Sequence, residues 1–429
     1  MAKVLAPFSP SLARSLGFPT GWKFTLGIVF AAQFFSAIGF SMVFPFLPLY
    51  IESLDSRFAL STEVLAGLVI AVQSVTMMIA APIWGVVADR FGRKKMILRA
   101  MVGGGIFMIL MGVVQSAEQL ILLRALQGMV TGTVSANNAL VAASAPRERV
   151  GFAMGTLQLG LWSGVAVGPL LGGVLADLFG YSMPFVATAV LLLIGALVIS
   201  VGVHEDFNPP KEKIAIHPTA FLLGWKMILG ASGVRMVLLM RFLVGLARSI
   251  IIPIAPLFVV SLIIRETETN NTYAGLILAV SSATSTFGAV YLGSLGDRIS
   301  HKKVLFWCAL LAMALYIPQV FVANVWQLLI LQGMAGIAGG GLVAAPSALL
   351  SRYTDKGSAG AVYGLDNSVW SASKAVAPLL GATIAIWIGM RGAFAASALV
   401  FGLIALIAWF CLPQDDPHPM ETRRNRADD

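Results

Sequence analysis

The chain has 429 residues, of which 58% are hydrophobic even without glycine and only 11% are charged, where soluble domains carry about 25% charged residues. So few charges cannot cover that much apolar surface in water, which excludes a soluble fold and leaves a lipid bilayer as the solvent. Two cysteines, Cys308 and Cys411, exclude a disulfide framework and a cysteine-based metal site, and the net charge of +9 is explained by where the bases lie rather than by nucleic acid.

A bilayer core of about 30 Å takes about 20 apolar residues per helix, and lipid offers no partner to an unpaired backbone group. Twelve windows meet or approach that length, at roughly 24–51, 63–88, 96–115, 119–142, 151–176, 183–203, 236–263, 273–296, 304–322, 326–350, 361–388 and 391–412. The expected fold class is all-α integral membrane, with twelve transmembrane helices. Pro45, Pro253 and Pro378 should kink their spans. The first window is too long for a signal peptide and lacks a small-residue cleavage site, so it reads as uncleaved.

Most of the 29 Lys and Arg fall in alternate connections: Arg90, Arg93, Lys94, Lys95 and Arg99 after span 2, Arg298, Lys302 and Lys303 after span 8, and others at both ends of the chain. The other side has only Arg57, Arg265 and Arg391, while Arg124, Arg248 and Lys374 lie within spans. Basic connections stay in the cytoplasm, so both termini are expected there. The longest polar stretch, Glu205 to Val234, separates six spans from six. The division expected is 1–203, a linker at 204–235, 236–412 and a tail at 413–429, with Phe221–Leu229 lying along the inner membrane face.

The halves repeat. Gly85-Val-Val-Ala-Asp89-Arg90-Phe-Gly92-Arg93-Lys94-Lys95 returns as Gly293-Ser-Leu-Gly-Asp297-Arg298-Ile-Ser300-His301-Lys302-Lys303, 208 positions later, and Pro45-Phe-Leu-Pro48 returns as Pro253-Ile-Ala-Pro256 at the same offset. Gln127-Gly128-Met129 matches Gln332-Gly333-Met334 at 205, and Gly168-Pro169-Leu-Leu-Gly172 matches Ala377-Pro378-Leu-Leu-Gly381 at 209. Two like bundles related by an axis along the membrane normal mark one class of secondary transporter, with the substrate site at midplane between them.

These residues carry a specific resemblance. Gly85-x-x-x-Asp89-Arg90-x-Gly92-Arg93-Lys94 resembles the signature loop of the major facilitator superfamily, and Arg124-Ala-Leu-Gln127-Gly128 its second motif. Gly160-x-x-x-Gly164-x-x-x-Gly168-Pro169-x-x-Gly172-Gly173 resembles the antiporter motif of the drug:proton branch, and Phe40 to Tyr50 is similar to bacterial multidrug efflux pumps of that branch. The resemblance implies that Asp89 latches onto Arg93 and the inner end of span 11, that Asp297 with Arg298 is a weaker counterpart against span 5, and that Arg124 serves proton-coupled transport. From physics alone, Gly92 allows a tight turn and the bases anchor at headgroups. The glycine series makes a groove for close helix approach, read here as a sliding seam between bundles.

In span 4, Arg124, Gln127, Thr131, Ser135 and Asn138 fall on one helical face, which reads either as polar packing or as a face on a water-filled cavity; Leu329 stands near the place equivalent to Arg124. Arg248 of span 7 and Lys374 of span 11 lie near midplane, where they either pair internally or line the cavity. Asp366, Trp370 and Lys374 share a face, and Gln33 is a weaker cavity candidate. Asp366 is the one acid within a span, about four residues from its inner end, and reads as a cap or latch or as a proton site. Three bases without an obvious acid suggest an electropositive chamber.

The function expected is secondary active transport by alternating access: efflux of a drug or small metabolite against protons, working as a monomer with no metal, cofactor or enzymatic activity. The substrate is a small molecule, amphipathic or anionic. The alternative is an organic-anion exchanger or uniporter on the same scaffold. A non-transporting sensor has no use for paired latch loops. No Gly-x-x-x-x-Gly-Lys-Ser/Thr is present for ATP, nor His-Glu-x-x-His for metal hydrolysis.

Overall fold

The computed structural model describes residues 21–57, 60–146, 149–205, 233–263, 269–352 and 359–412. The surroundings of Gly85, the side chains of Asp89 and Ser135, and the 221–229 stretch expected at the membrane face lie outside that description.

Twelve spans run through the molecule. Span 1 is Trp22–Met42 continued by Leu47–Glu52, span 2 Thr62–Phe91, span 3 Arg93–Met111, and span 4 Ala117–Val130 continued by Thr133–Ser144. Spans 5 and 6 are Val150–Phe179 and Ser182–Gly202. Span 7 is Val234–Ser249 continued by Ala255–Ser261, followed by Asn270–Ile299, His301–Gln319, Val325–Arg352, Ala359–Ile388 and Met390–Phe410 as spans 8 to 12. Among the described residues nine helices are each long and apolar enough to cross a bilayer. The remaining three are span 3, which opens on Arg93, Lys94, Lys95 and Arg99, and spans 4 and 7, which are broken. Proline breaks spans 1 and 7 as expected, at Pro45 and Pro253, since each removes a backbone donor. The break in span 4 was not expected; it falls at Gly132, whose φ of 143° leaves the helical region. Span 7 begins two residues before its expected start at 236.

The repeat holds in detail. At one end of the molecule Gln119 Oε1 accepts from the Gln115 amide at 3.0 Å and Ser116 caps Gln119; 208 positions on, Gln327 Oε1 accepts from the Ala323 amide at 2.9 Å and Asn324 caps Gln327. At the other, basic end, spans 2 and 8 stop where Gly92 and Ser300 take φ of 97° and 148°. Lys94 Nζ then donates to the Val203 carbonyl at 2.7 Å, and Lys302 Nζ to the Leu412 carbonyl at 2.6 Å.

Packing corrects one sequence alignment. Gly128 of span 4 presses on the Gln73 carbonyl and Thr76 hydroxyl of span 2, and the residue pressing on the Ser281 carbonyl and Thr284 hydroxyl of span 8 is Gly336, not Gly333. The offset there is therefore 208, and the counterpart of Arg124 is Gln332 rather than Leu329. The amide repeat at 205 was a coincidence of short motifs.

The glycine series of span 5 is a second correction. Gly160, Gly164, Gly168 and Gly172 all face span 1, against Phe30, Ala37, Ser41 and Met42, so they join helices within one bundle. A spacing of four keeps them on that face, whereas Gly173, one residue on, points elsewhere. It is Gly173, against the Asn271 carbonyl, and Gly275, against the Pro169 carbonyl, that bring spans 5 and 8 together across the bundles. The pseudo-symmetric seam is Gly67 of span 2 against the Pro378 carbonyl of span 11.

Candidate functional site

Both seams lie toward the end away from the basic loops, and there they are tight. Asp177, near the end of span 5, accepts from the Asn271 amide at 3.1 Å, the Asn271 side chain at 2.7 Å, the Thr272 amide at 2.7 Å and the Thr272 hydroxyl at 2.5 Å. A carboxylate of one bundle thus caps the N-terminus of a helix in the other, satisfying amides that have no partner within the helix. Toward the basic face Gln158 and Gly155 of span 5 are exposed, Gly155 with no heavy atom near the place of a Cβ, and so is Ala283 of span 8. Among the described residues the close glycine contacts and hydrogen bonds between the bundles gather at the face away from the basic loops.

The mid-span polar groups divide between the bundles. In the first, Arg124 is buried: its Nη1 donates to Gln73 Oε1 at 3.1 Å and Gln127 Oε1 at 3.2 Å, and Gln73 Nε2 donates to Gln127 Oε1 at 3.2 Å. The break at Gly132 divides the polar face read along span 4, and Asn138 is half-buried beyond it while Asn137 donates to Gln33 Oε1. Arg124 and Gln127 therefore sit in a bonded cluster between spans 2 and 4 and do not line a water-filled space. Gln33 Nε2, Asn137 Oδ1 and Asn138 Oδ1 are buried without a hydrogen-bond partner.

In the second bundle, Arg241 Nε stands 3.0 Å from Asp366 Oδ1, an ion pair whose angle falls short of a directed hydrogen bond. Asp366 is buried in that pair, which replaces the reading of it as a helix cap or latch. The Arg241 guanidinium also lies over the Trp370 ring, 4.3 Å from its centroid, and Lys374 Nζ is 5.6 Å from the same centroid. Arg248 donates to the Gly339 carbonyl at 2.9 Å and the Ser285 hydroxyl at 3.3 Å. Arg248 is half-buried and Lys374 is exposed, one turn from the Pro378 seam.

The loop motifs are partly in view. Arg90 and Arg298 are exposed at the basic face. The backbone amides of Arg93 and Lys94 donate to the Glu205 carboxylate at 2.9 and 2.8 Å, so a carboxylate of the same bundle caps span 3. Asp297 stands 3.1 Å from His301 Nε2. A crevice of about 580 Å³ lies elsewhere, between spans 1 and 5 at the basic face near Trp22, Lys23 and Arg149, and holds none of the mid-span groups. Among the described residues no cluster of His, Cys, Asp or Glu could hold a metal ion.

Sequence reasoning missed Gln73, Asn137, Asp177, Ser285 and Glu205. Asp177 and Glu205 look like ordinary acids at span ends, and only the packing reveals which helix ends they cap.

A sequence profile described as the Major Facilitator Superfamily matches residues 29–240 and again 237–428. The chain is 35% identical over 397 residues to a Multidrug resistance protein MdtG from Dickeya zeae (strain Ech586), over 92% of this chain and 96% of that one. It is likewise 35% identical over 394 residues to the MdtG of Serratia proteamaculans (strain 568), over 91% and 94%. Among solved structures it resembles the human organic anion transporter MFSD10 (TETRAN), with a TM-score of 0.67, 18% identity and coverage of 90% and 99%. It also resembles a bacterial homolog to the human lysosomal transporter Spinster in an inward-facing, occupied conformation, with a TM-score of 0.73, 15% identity and coverage of 90% and 96%. At such identities the structural likeness speaks to fold alone.

Proposed function

Because the chain belongs to the major facilitator superfamily, we propose that its two bundles rock about the mid-span space and expel a small molecule by alternating access. The protein is a multi-pass membrane protein and a secondary active transporter of the multidrug-efflux kind. One observation carries the mechanism: the close backbone contacts between the bundles, at Gly67, Gly173 and Gly275, gather at one face. Contacts so close can slide or part as rigid surfaces, which is what a gate needs.

We place the basic face and both termini in the cytoplasm of a bacterial inner membrane, where basic connections are retained. The structure is then the inward-open state. The bundles divide as 1–203 and 236–412, with the linker and tail on the cytoplasmic side. The loop residues Gly85, Asp89, Arg90, Gly92, Arg93, Lys94, Asp297 and Arg298 act as the inner gate. The chain works as a monomer and catalyses no chemical reaction.

Asp366 is the proton site in this reading, since it is a buried carboxylate within span 11 that shares its charge with one base. A proton arriving there would release Arg241, and Trp370 and Lys374 beside it would feel the change. The test is purified protein in liposomes under an imposed pH gradient, with rhodamine 6G or carboxyfluorescein inside. Asp366→Asn should keep downhill exchange and lose gradient-driven accumulation. Accumulation that survives in Asp366→Asn refutes the assignment, whereas a wild type that shows no gradient-driven accumulation favours exchange or uniport, a second reading supported by the Arg241–Asp366 pair, which also fits a purely structural ion pair.

A further inference from the structure

Four charged side chains lie along spans 7 and 11 of the second bundle, Arg241 and Asp366 nearer the basic face and Arg248 and Lys374 near mid-span, and one of them is an acid. Asp366 compensates Arg241 at 3.0 Å. Arg248 is held by two neutral acceptors, the Gly339 carbonyl and the Ser285 hydroxyl, which use two of a guanidinium's five donors. Those contacts fix its position without cancelling its charge. Gly339 leaves room for this, since a Cβ there would come within 3.2 Å of Arg248 Nη1. Lys374 is exposed within the span, its ammonium near the Trp370 ring that Arg241 covers. Among the described residues no carboxylate pairs with Arg248 or with Lys374.

Two cations at bilayer depth repel each other and are costly to bury. An internal structural pair brings its own carboxylate, as Arg241 does. Neutral scaffolding around Arg248 and an open position for Lys374 suit a different purpose, presenting positive charge to something that enters. Among the described mid-span residues the first bundle offers no such group, since Arg124 is enclosed by Gln73 and Gln127. The uncompensated positive charge therefore belongs to spans 7 and 11 of the second bundle.

Resting on the carrier reading above, we propose that Arg248 and Lys374 form an anion subsite, and that the transported substrate is an organic anion whose carboxylate or sulfonate sits between them. Trp370 is a positioning residue, holding Lys374 and Arg241 apart from one another across its ring. The apolar body of the substrate occupies the remaining width between the bundles. The charge sign of the substrate is thus chosen by the second bundle alone.

The experiment compares transport of carboxyfluorescein, an organic anion, with that of rhodamine 6G, an organic cation, by the full-length protein in liposomes. The wild type should move carboxyfluorescein. Arg248→Gln and Lys374→Gln should each lower the ratio of anion to cation transport by about tenfold or more, the worth of one charge-assisted contact. Lys374→Arg, which keeps the charge, should restore most of that ratio. An unchanged ratio in both Gln variants overturns the proposal, and so does an equal loss for both dyes, which would make the two cations structural. A wild type that moves rhodamine 6G and not carboxyfluorescein overturns the anion assignment while leaving the carrier intact. A wild type that moves neither counts against both.

Discussion

Single residues carry much of the difference between the two copies of the repeat. Gly92 and Ser300 occupy the same turn, and Ser300 holds a φ of 148° that a side chain rarely adopts. Its hydroxyl accepts from the Lys303 amide at 3.4 Å, a long contact that returns little. Ser300→Gly should therefore stabilise the protein by about 1 kcal/mol, the relief of strain outweighing a weak cap. A higher thermal melting midpoint in detergent checks this, and a lower one would mean that the hydroxyl matters more than the backbone. Small residues have also changed sides. Gly164 packs on Ala37 in the first bundle, while in the second Gly245 packs on Ser373 at the corresponding positions, so the glycine has moved to the other helix of the pair. Close approach needs one partner without a side chain and is indifferent to which.

At the scale of helices, span 5 has two working faces set one residue apart. A methyl added at Gly172 would run into the Met42 backbone within the bundle, and one added at Gly173 into the Asn271 backbone of the other bundle. Gly172→Ala should lower stability by a few kcal/mol, as overpacking of a tight contact does, about 1–3 kcal/mol. Gly173→Ala should leave the fold intact and open the closed face. Asp177→Asn should act in the same direction, because it removes the negative charge from a four-donor cap, about 1.5–3 kcal/mol and hence about a tenfold or larger shift in population. Labelling of a cysteine placed at Ala279, buried behind this seam, reads the shift: faster labelling from the outer face in Gly173→Ala and Asp177→Asn, and no change in Gly172→Ala. The other seam, between spans 2 and 11, has Ile386 where symmetry would put an acid opposite Asp177, so closure at this face is latched on one side only.

For the whole molecule, sidedness can be read from the two native cysteines. Cys411 is exposed at the end of span 12 and Cys308 is buried. In intact cells a membrane-impermeant maleimide should leave Cys411 unmodified and label it after permeabilisation, with Cys308 unreactive throughout. Labelling of Cys411 in intact cells would reverse the orientation and with it the inward-open assignment. On the proposed reading substrate enters from the basic side, and Asp177 must release the N-terminus of span 8 before the other side opens.

Much of this was legible in the sequence because the bilayer is a demanding solvent. Apolar run length set the number of spans, and the recurrence of loop and proline motifs at one offset set two like bundles. The breaks at Pro45 and Pro253 followed from a missing backbone donor. Contacts between helices were not legible, because they depend on rotation about each axis to within one residue. That is why the glycine row was assigned to the wrong seam, why the face of Arg124 read equally as polar packing or cavity lining until its bonds to two glutamines were in view, and why its counterpart is Gln332. It is also why Asp366 found Arg241, and why Asp177 emerged as the latch. Composition and periodicity report what each helix buries, and only the tertiary structure decides against whom, since a helix presents the same apolar surface to lipid and to protein.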